Sequence, residues 1–157
     1  MSPPPFQTFL EHHRDAVYRF LVFSVGSDVA DDCLQETFVA ALRAYPRLED
    51  GSNLRAWVLT IAHRKAIDAH RGRARRPVPA AELPEQPAPV VTLPDPGLWE
   101  AVSELPPKQR AAIVLRFVSD LPFRDVGRIL DTSEAAARQN VREGLAHLRE
   151  EYADDEH

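Results

Sequence analysis

Residues 107–149, PKQRAAIVLRFVSDLPFRDVGRILDTSEAAARQNVREGLAHLR, decide how the rest of the chain is interpreted. They predict a helix, a short helix over residues 122–130, a tight turn and a longer helix over about 134–151. Pro122 suits the first turn of the short helix, because the N–H group that proline lacks has no intrahelical partner there. Ser133 is a favourable N-cap for the longer helix.

The longer helix carries two chemically different faces. Its predicted buried stripe consists of Ala137, Val141, Leu145 and Leu148. Arg138, Gln139 and Arg142 fall on another side, and two helices joined by a short turn with such residues on the second form a helix-turn-helix pattern. Arginine binds guanine or phosphate, and Gln or Asn pairs with adenine. An ordinary helical hairpin with a solvated polar face gives the same pattern, so both interpretations stay open here.

Length and composition limit the classes of protein to consider. A chain of 157 residues suits one or two small domains. Cys33 is the only cysteine, so we expect no disulfide within the chain and no cysteine zinc site. Apolar runs are far shorter than the roughly 20 residues of a membrane span, and the N-terminus does not resemble a signal peptide. We expect a cytoplasmic protein with no membrane insertion, metal or cofactor.

The formal net charge of −5 argues at first against a nucleic-acid partner. The charge is uneven, however: residues 1–76 carry 11 Lys and Arg against 9 Asp and Glu, whereas residues 98–157 carry 8 against 12. Affinity for free DNA should therefore be low. A role on DNA would need a partner that holds the protein in place.

The first 76 residues predict three helices, over residues 6–26, 27–45 and 54–73. Ser27 would cap the second helix and Pro46 would stop it. The end of the third helix is strongly basic, with Arg64, Lys65, Arg71, Arg73, Arg75 and Arg76. A basic helix end can simply complement the helix dipole, but six cations within thirteen residues exceed that need and favour phosphate contact.

Residues 77–97 contain seven prolines and predict an extended linker, because such a stretch cannot sustain a helix. Short helices are predicted after it, over residues 98–105 and 108–118. The expected fold is all-α, with two small helical domains, residues 6–76 and 98–152, joined by the Pro-rich linker 77–97. The second domain would carry the helix-turn-helix.

Four blocks in this order resemble a known family: SDVADDCLQETFVAAL, NLRAWVLTIAHRKAIDAHRGRARR, LPPKQRAAIVLRFVSDLPFRDVGRIL and TSEAAARQNVREGLAHLR. They are similar to the extracytoplasmic-function (ECF) group of the sigma-70 family of bacterial RNA polymerase sigma factors. The resemblance runs from about Phe6 to Tyr152, with a linker where the family has one. It implies a sigma-2-like domain, a sigma-4-like domain and no enzymatic activity of the chain itself.

The resemblance implies a surface for core RNA polymerase on the second helix. In the family an acidic helix with a Gln-Glu-Thr-Phe motif docks on the clamp helices of the β′ subunit. The matching positions here are Asp32, Gln35, Glu36 and Thr37. Phe38 completes the motif, but we expect it to be a core residue.

The resemblance also implies two contacts with promoter DNA. The loop 48–53 is similar to one that captures a flipped base of the minus-ten element, and the expected minus-ten residues are Asn53, Arg64, Lys65, Arg71 and Arg75. Trp57, Ile61 and Ala62 are expected in the core. The helix from Ser133 to Arg149 would enter the major groove at the minus-thirty-five element. Its expected contact residues are Ser133, Arg138, Gln139, Asn140 and Arg142.

The Leu-Pro-x-x-x-Arg motif, here Leu105, Pro106 and Arg110, is implied to pack the second domain and to approach the β flap. The chain departs from the family pattern at some positions. Asp131 stands where a turn glycine is common, and Asn140 and Glu143 stand where arginine is frequent. Gly144 stands inside the predicted helix, where glycine lowers helix stability by about 1 kcal/mol relative to alanine.

The implied partners are core RNA polymerase, promoter DNA and an anti-sigma factor. Two alternatives remain: a helix-turn-helix regulator that acts without polymerase, and a sigma-like decoy that only binds proteins. An enzyme is disfavoured, because His63, Asp68 and His70 lie in a helix whose other charged residues are basic and would repel a metal cation.

Overall fold

The computed structural model describes residues 3–48, 53–71 and 96–155, the last range without side chains at 96, 99 and 152–155. Within these ranges every regular element is helical, which confirms the predicted all-α class. The chain divides into two compact units, Met1–Val91 and Thr92–His157. The predicted linker 77–97 lies almost entirely outside the described residues, and the predicted domain limits stay predictions.

The described residues of the first unit, 3–48 and 53–71, form three α-helices. They are α1 (Phe6–Val25), α2 (Ser27–Ala44) and α3 (Leu54–His70), and a 3₁₀ turn at Tyr45–Arg47 follows α2. Gly26 separates α1 from α2 at φ 86°, a left-handed conformation that glycine adopts without cost. Gly26 is therefore the N-cap of α2, and Ser27, predicted as the cap, is the first helical residue and makes no capping bond.

The core of the first unit lies where one face of each helix meets the other two. Its largest fully buried side chains are Phe9, Val17, Phe20, Leu21, Val22, Phe38, Val58 and Leu59. The prediction that Phe38 belongs to the core is confirmed. Ala62 is buried as expected, and so is Val58, whereas Trp57 and Ile61, also expected in the core, are only half-buried. Trp57 packs at the edge of the core, 5.7 Å from the Phe9 ring.

In the second unit, the described residues 96–155 form four α-helices. They are α4 (Pro96–Ser103), α5 (Pro107–Ile113), α6 (Phe123–Ile129) and α7 (Glu134–Asp155). A π-helical turn, Val114–Val118, continues α5, and the Ser119 N–H donates to the Val114 carbonyl at 3.0 Å. Pro122 is the N-cap of α6 rather than its first residue. Buried side chains of α5, the π turn, α6 and α7 form the core.

The turn between α6 and α7 has the geometry that the sequence predicted. Asp131 adopts φ 55°, a left-handed conformation that short polar side chains tolerate better than other non-glycine residues. The Ser133 hydroxyl accepts a hydrogen bond from the Ala136 N–H at 3.0 Å, so the predicted N-cap is confirmed. The α6–turn–α7 segment is thus a helix-turn-helix.

The buried face of α7 differs from prediction at one position. Ala137, Val141 and Leu148 are buried as expected, but Leu145 is half-buried and Gly144 takes its place against α5. A Cβ at Gly144 would lie 2.4 Å from Ile113 Cδ1. The missing side chain therefore lets α5 approach α7 closely.

Candidate nucleic-acid interface

The basic face of the first unit lies on the C-terminal half of α3. Arg64 and Arg71 are exposed, and Lys65 is half-buried. Arg71 is the C-cap residue of the helix. Arg75, also predicted to contact the minus-ten element, lies outside the described residues. The described cations can therefore reach a nucleic-acid backbone without a change in the fold.

Asn53 is the N-cap of α3 and lines a cleft. Its Oδ1 accepts a hydrogen bond from the Ala56 N–H at 3.1 Å, which caps the helix. The cleft has a volume of about 440 Å³, and its lining also includes Phe9, His12, His13 and Arg55. Of the predicted base-capturing loop 48–53, residues 49–52 lie outside the described residues.

His13 is neutral at physiological pH in this setting. Burial, with the neighbouring His12 and Arg55 charges, lowers the pKa of His13 to about 4. Its Nδ1 is buried without a hydrogen-bond partner. Arg55 thus brings the positive charge to this side of the cleft, while His13 contributes an uncharged ring.

The predicted polymerase surface on α2 is only partly accessible. Asp32 is exposed, and Gln35 and Glu36 are half-buried. Thr37 is fully buried, and its hydroxyl donates to the Cys33 carbonyl at 2.7 Å. The Thr37 side chain is therefore not at the surface of α2 in this structure, and its contact with polymerase stays a prediction.

The first turns of α7 present two arginines in different surroundings. Arg138 Nη2 donates to Glu134 Oε1 at 2.8 Å, and its guanidinium lies 5.1 Å from the centroid of the Phe123 ring. Arg116 approaches the same ring, also at 5.1 Å. Arg138 is therefore held against α6, and two guanidinium groups lie near the Phe123 ring.

Arg142 belongs to the outward face of α7 with Gln139. Arg142 Nη1 donates to Gln139 Oε1 at 3.3 Å, and Gln139 Nε2 donates to Glu143 Oε1 at 3.0 Å. Asn140 is half-buried, whereas the other three side chains are exposed. The structure thus brings Gln139 and Arg142 together, with Asn140 turned partly toward the core side.

The Leu-Pro-x-x-x-Arg motif has a structural role within the second unit. Leu105 is buried, and Arg110 Nη1 donates to the Ser103 carbonyl at 2.9 Å, which ties α5 to the end of α4. Burial lowers the pKa of the Arg110 guanidinium. These contacts agree with the expectation that the motif packs the domain.

Sequence reasoning missed two features of this unit. Phe117 is 57% exposed at the end of the π-helical turn, within the segment 108–118 that was predicted only as a short helix. Glu143, seen only as a departure from an expected arginine, bonds to two neighbours. The spacing of four residues between Gln139 and Glu143 is a signal that could have indicated one of these bonds.

Metal sites and membrane-spanning helices are features of other classes of protein. In residues 3–48, 53–71 and 96–155, no group of three or more His, Cys, Asp or Glu lies together as a metal site would require. None of the helices in the described part of the chain is both long and apolar enough to cross a membrane.

Two family models match the chain, one in each unit. The model for sigma-70 region 2 matches residues 9–76, and the model for sigma-70 region 4 matches residues 97–148. Among curated proteins, the RNA polymerase sigma factor CarQ of Myxococcus xanthus is 30% identical over 155 residues, covering 92% of this chain and 87% of CarQ. The ECF sigma factor SigD of Mycobacterium tuberculosis is 32% identical, covering 90% of this chain and 74% of SigD.

Solved structures with the same fold include two complexes of a protein with its partner. The sigma factor RpoE of Bartonella quintana, solved with the anti-sigma factor NepR, has a TM-score of 0.74 at 24% identity, covering 92% of this chain and 94% of RpoE. CnrH, solved with the cytosolic domain of CnrY, has a TM-score of 0.73 at 22% identity, covering 96% of this chain and 88% of CnrH. At these identities the likeness describes the fold.

Proposed function

The chain belongs to the ECF group of the sigma-70 family of RNA polymerase sigma factors, and we propose how its two units share the recognition of a promoter. Sigma factors of this family bind core polymerase and direct the initiation of transcription, and the polymerase performs the chemistry. The proposal concerns which residues of this chain make each contact. The observation that carries it is the order of the two matches, region 2 before region 4, along almost the whole chain.

The core-binding surface is the outer face of α2. Asp32, Gln35 and Glu36 would meet the β′ clamp helices, because they are the accessible members of the acidic motif. Thr37 would support the surface from beneath, through its bond to the Cys33 carbonyl. In the second unit, the exposed Phe117 and the adjoining Arg116 offer the flap of the β subunit an apolar contact with a cationic edge.

The minus-ten element is assigned to α3 and the cleft at its start. Arg64, Lys65 and Arg71 would neutralise backbone phosphates, and Arg75 would extend the same basic segment. Asn53 lines a cleft of about 440 Å³, which is large enough for an unstacked base. Capture of such a base depends on a fitted pocket and on polar groups at its edge.

The minus-thirty-five element is assigned to the start of α7. Gln139 and Arg142 would face base edges in the major groove, and Ser133, Arg138 and Asn140 would flank them. Each of these two surfaces alone would bind DNA weakly, since the chain carries a net charge of −5. When both DNA-binding surfaces are attached to one polymerase, each meets the promoter at a high effective concentration. This attachment compensates for low affinity toward free DNA.

We further propose a cytoplasmic setting, where core polymerase works, and an anti-sigma partner, by analogy with RpoE and NepR. If such a partner holds the protein, purification from its own cells without denaturant should yield a complex that lacks core polymerase. Recovery of only free and polymerase-bound chain would contradict the anti-sigma partner.

The test of the whole proposal is gel filtration of the full chain with bacterial core RNA polymerase, followed by transcription from a pool of promoter fragments. Co-elution with initiation at a defined subset of promoters is the expected result. Co-elution without initiation would favour the decoy, and no co-elution with a core enzyme that accepts another sigma factor would favour the independent regulator.

A further inference from the structure

A chain of hydrogen bonds, here called the polar ladder, crosses from α5 to the outer face of α7. Its members are His147, Gln109, Glu143, Gln139 and Arg142. His147 Nδ1 lies 2.9 Å from Gln109 Oε1, and Gln109 Nε2 lies 3.3 Å from Glu143 Oε2. The Gln139 and Arg142 bonds described above continue the ladder from the other oxygen of Glu143.

Glu143 is the junction of the ladder. One carboxylate oxygen accepts the amide of Gln109 in α5, and the other accepts the amide of Gln139 in α7. An ionised carboxylate can only accept hydrogen bonds, so both amides must turn their nitrogen toward Glu143. Their oxygens are then directed away from Glu143, toward His147 and Arg142 respectively.

This arrangement fixes the amide of Gln139 at both ends. Its nitrogen is held by an acceptor that cannot donate, and its oxygen is held by the Arg142 guanidinium, which cannot accept. A flipped amide would lose both bonds. Gln139 retains one N–H and one oxygen lone pair, and a donor paired with an acceptor is what glutamine uses to bind adenine N7 and N6.

We propose that Glu143 is a positioning residue that sets the base preference of the minus-thirty-five reader, by orienting Gln139 toward adenine through the α5-anchored ladder. This inference rests on the proposed function of α7. It also explains why position 143 holds a glutamate, although an arginine there would bind a DNA phosphate. The carboxylate lowers affinity for every DNA sequence by repulsion, while it narrows the choice of base, and attachment to polymerase makes up for the lower affinity.

The test uses holoenzyme assembled from the full chain and core polymerase, with promoter duplexes randomised across the upstream element. Glu143→Ala should raise average affinity and should flatten the adenine preference at one position by about tenfold. Gln109→Ala leaves the charge and the outer face of α7 intact. It should weaken the same preference without raising average affinity.

Glu150→Gln is the charge-matched control, because Glu150 is exposed on the same helix and outside the ladder. It should leave the base preference unchanged. If Glu143→Ala raises affinity and every base preference stays as in the wild type, Glu143 is only a repelling charge and the inference is overturned. A wild-type holoenzyme without any preference in the upstream element would overturn the proposed role of α7 itself, a result that differs from the previous one.

Discussion

The Thr132 N–H donates to the Gly127 carbonyl at 2.8 Å, and the Thr132 carbonyl oxygen lies 2.9 Å from the position that a Cβ of residue 127 would occupy. The turn of the helix-turn-helix thus closes directly onto α6. Because the neighbouring atoms belong to backbone, they cannot move aside without displacing the start of α7.

We therefore expect Gly127→Ala to destabilise the second unit. Alanine would gain about 1 kcal/mol of helix propensity, but the added methyl group would force the turn outward at a cost of about 1–3 kcal/mol. Denaturant unfolding of the full chain, with amide hydrogen exchange in α6 and α7, measures the loss. Faster exchange should be confined to the second unit.

Gly144→Ala provides the matched comparison. Its added methyl group would meet a side-chain methyl group of Ile113, which can turn away, rather than backbone. The propensity gain of about 1 kcal/mol should then offset most of the strain. If both substitutions lowered the free energy of unfolding equally, the backbone contact at Gly127 would cost no more than the side-chain contact at Gly144.

Within the acidic motif of α2, the accessible residues should affect polymerase binding, and the buried residue should affect the stability of the fold. Replacing Gln35 and Glu36 together by alanine should weaken co-purification with core polymerase and leave the helical content unchanged. Thr37→Val keeps the shape of a side chain that is fully buried. It should retain polymerase binding and lose only about 1 kcal/mol of stability with the hydroxyl bond.

A pull-down of core polymerase and a denaturant titration measure these two outcomes on the same variants. Loss of polymerase binding in a stable Thr37→Val protein would restore a contact role to Thr37. Unchanged binding of the Gln35 and Glu36 double variant would remove the proposed surface from α2.

The sequence could predict those parts of the fold that depend on local pattern. Ala137, Val141 and Leu148 repeat at helical spacing, and Ser133 precedes the helix as a capping residue, so α7 and its buried face follow from neighbouring residues alone. Asp131 was noted as a substitute for glycine, and its φ of 55° agrees with that.

Features that depend on contacts across the chain could not be predicted. From the sequence, Gly144 only lowers the stability of α7, whereas in the structure the absence of its side chain makes room for Ile113 of α5. The bond between Gln109 and Glu143 joins residues 34 positions apart. Thr37 matched a surface motif by position, but a motif does not report which way one side chain of a half-buried helix points.

Two histidines of the first unit predict a loss of stability in mild acid. Burial lowers the pKa of His63 to about 4, with a further contribution from Arg64, and His13 is lowered to a similar value. In the unfolded chain both should titrate near 6.5. Between these values the unfolded state binds more protons, so the free energy of unfolding falls as pH decreases from about 6.5 toward 4.

Each histidine should contribute a slope of up to about 1.4 kcal/mol per pH unit in this window. His63→Gln removes the titrating group, so its stability should depend less on pH than that of the wild type. The measurement is denaturant unfolding at pH 7.5, 6, 5 and 4.5. An identical slope in the variant would mean that His63 is not the group that takes up the proton.

The two arginines at the start of α7 should differ in what their removal costs. Arg138 covers the Phe123 ring and bonds Glu134, so Arg138→Ala should lower stability by about 0.5–1 kcal/mol. In the hydrogen bonds described above, Arg142 contacts only an exposed group of its own helix. Arg142→Ala should therefore leave stability nearly unchanged.

On DNA the order should reverse, and the salt dependence of binding tells whether Arg142 reaches a phosphate in addition to the base edges proposed above. Consider first a phosphate contact. Holoenzyme with Arg142→Ala should then bind the promoter more weakly, and the slope of log K against log salt should become shallower by about 1. Arg142→Lys keeps the charge and should keep the slope, because a lysine can release the same counterion. A shallower slope in both variants would point to a bidentate contact that lysine cannot make. An unchanged slope in Arg142→Ala, with weaker binding to one sequence only, would assign the guanidinium to a base edge beside Gln139.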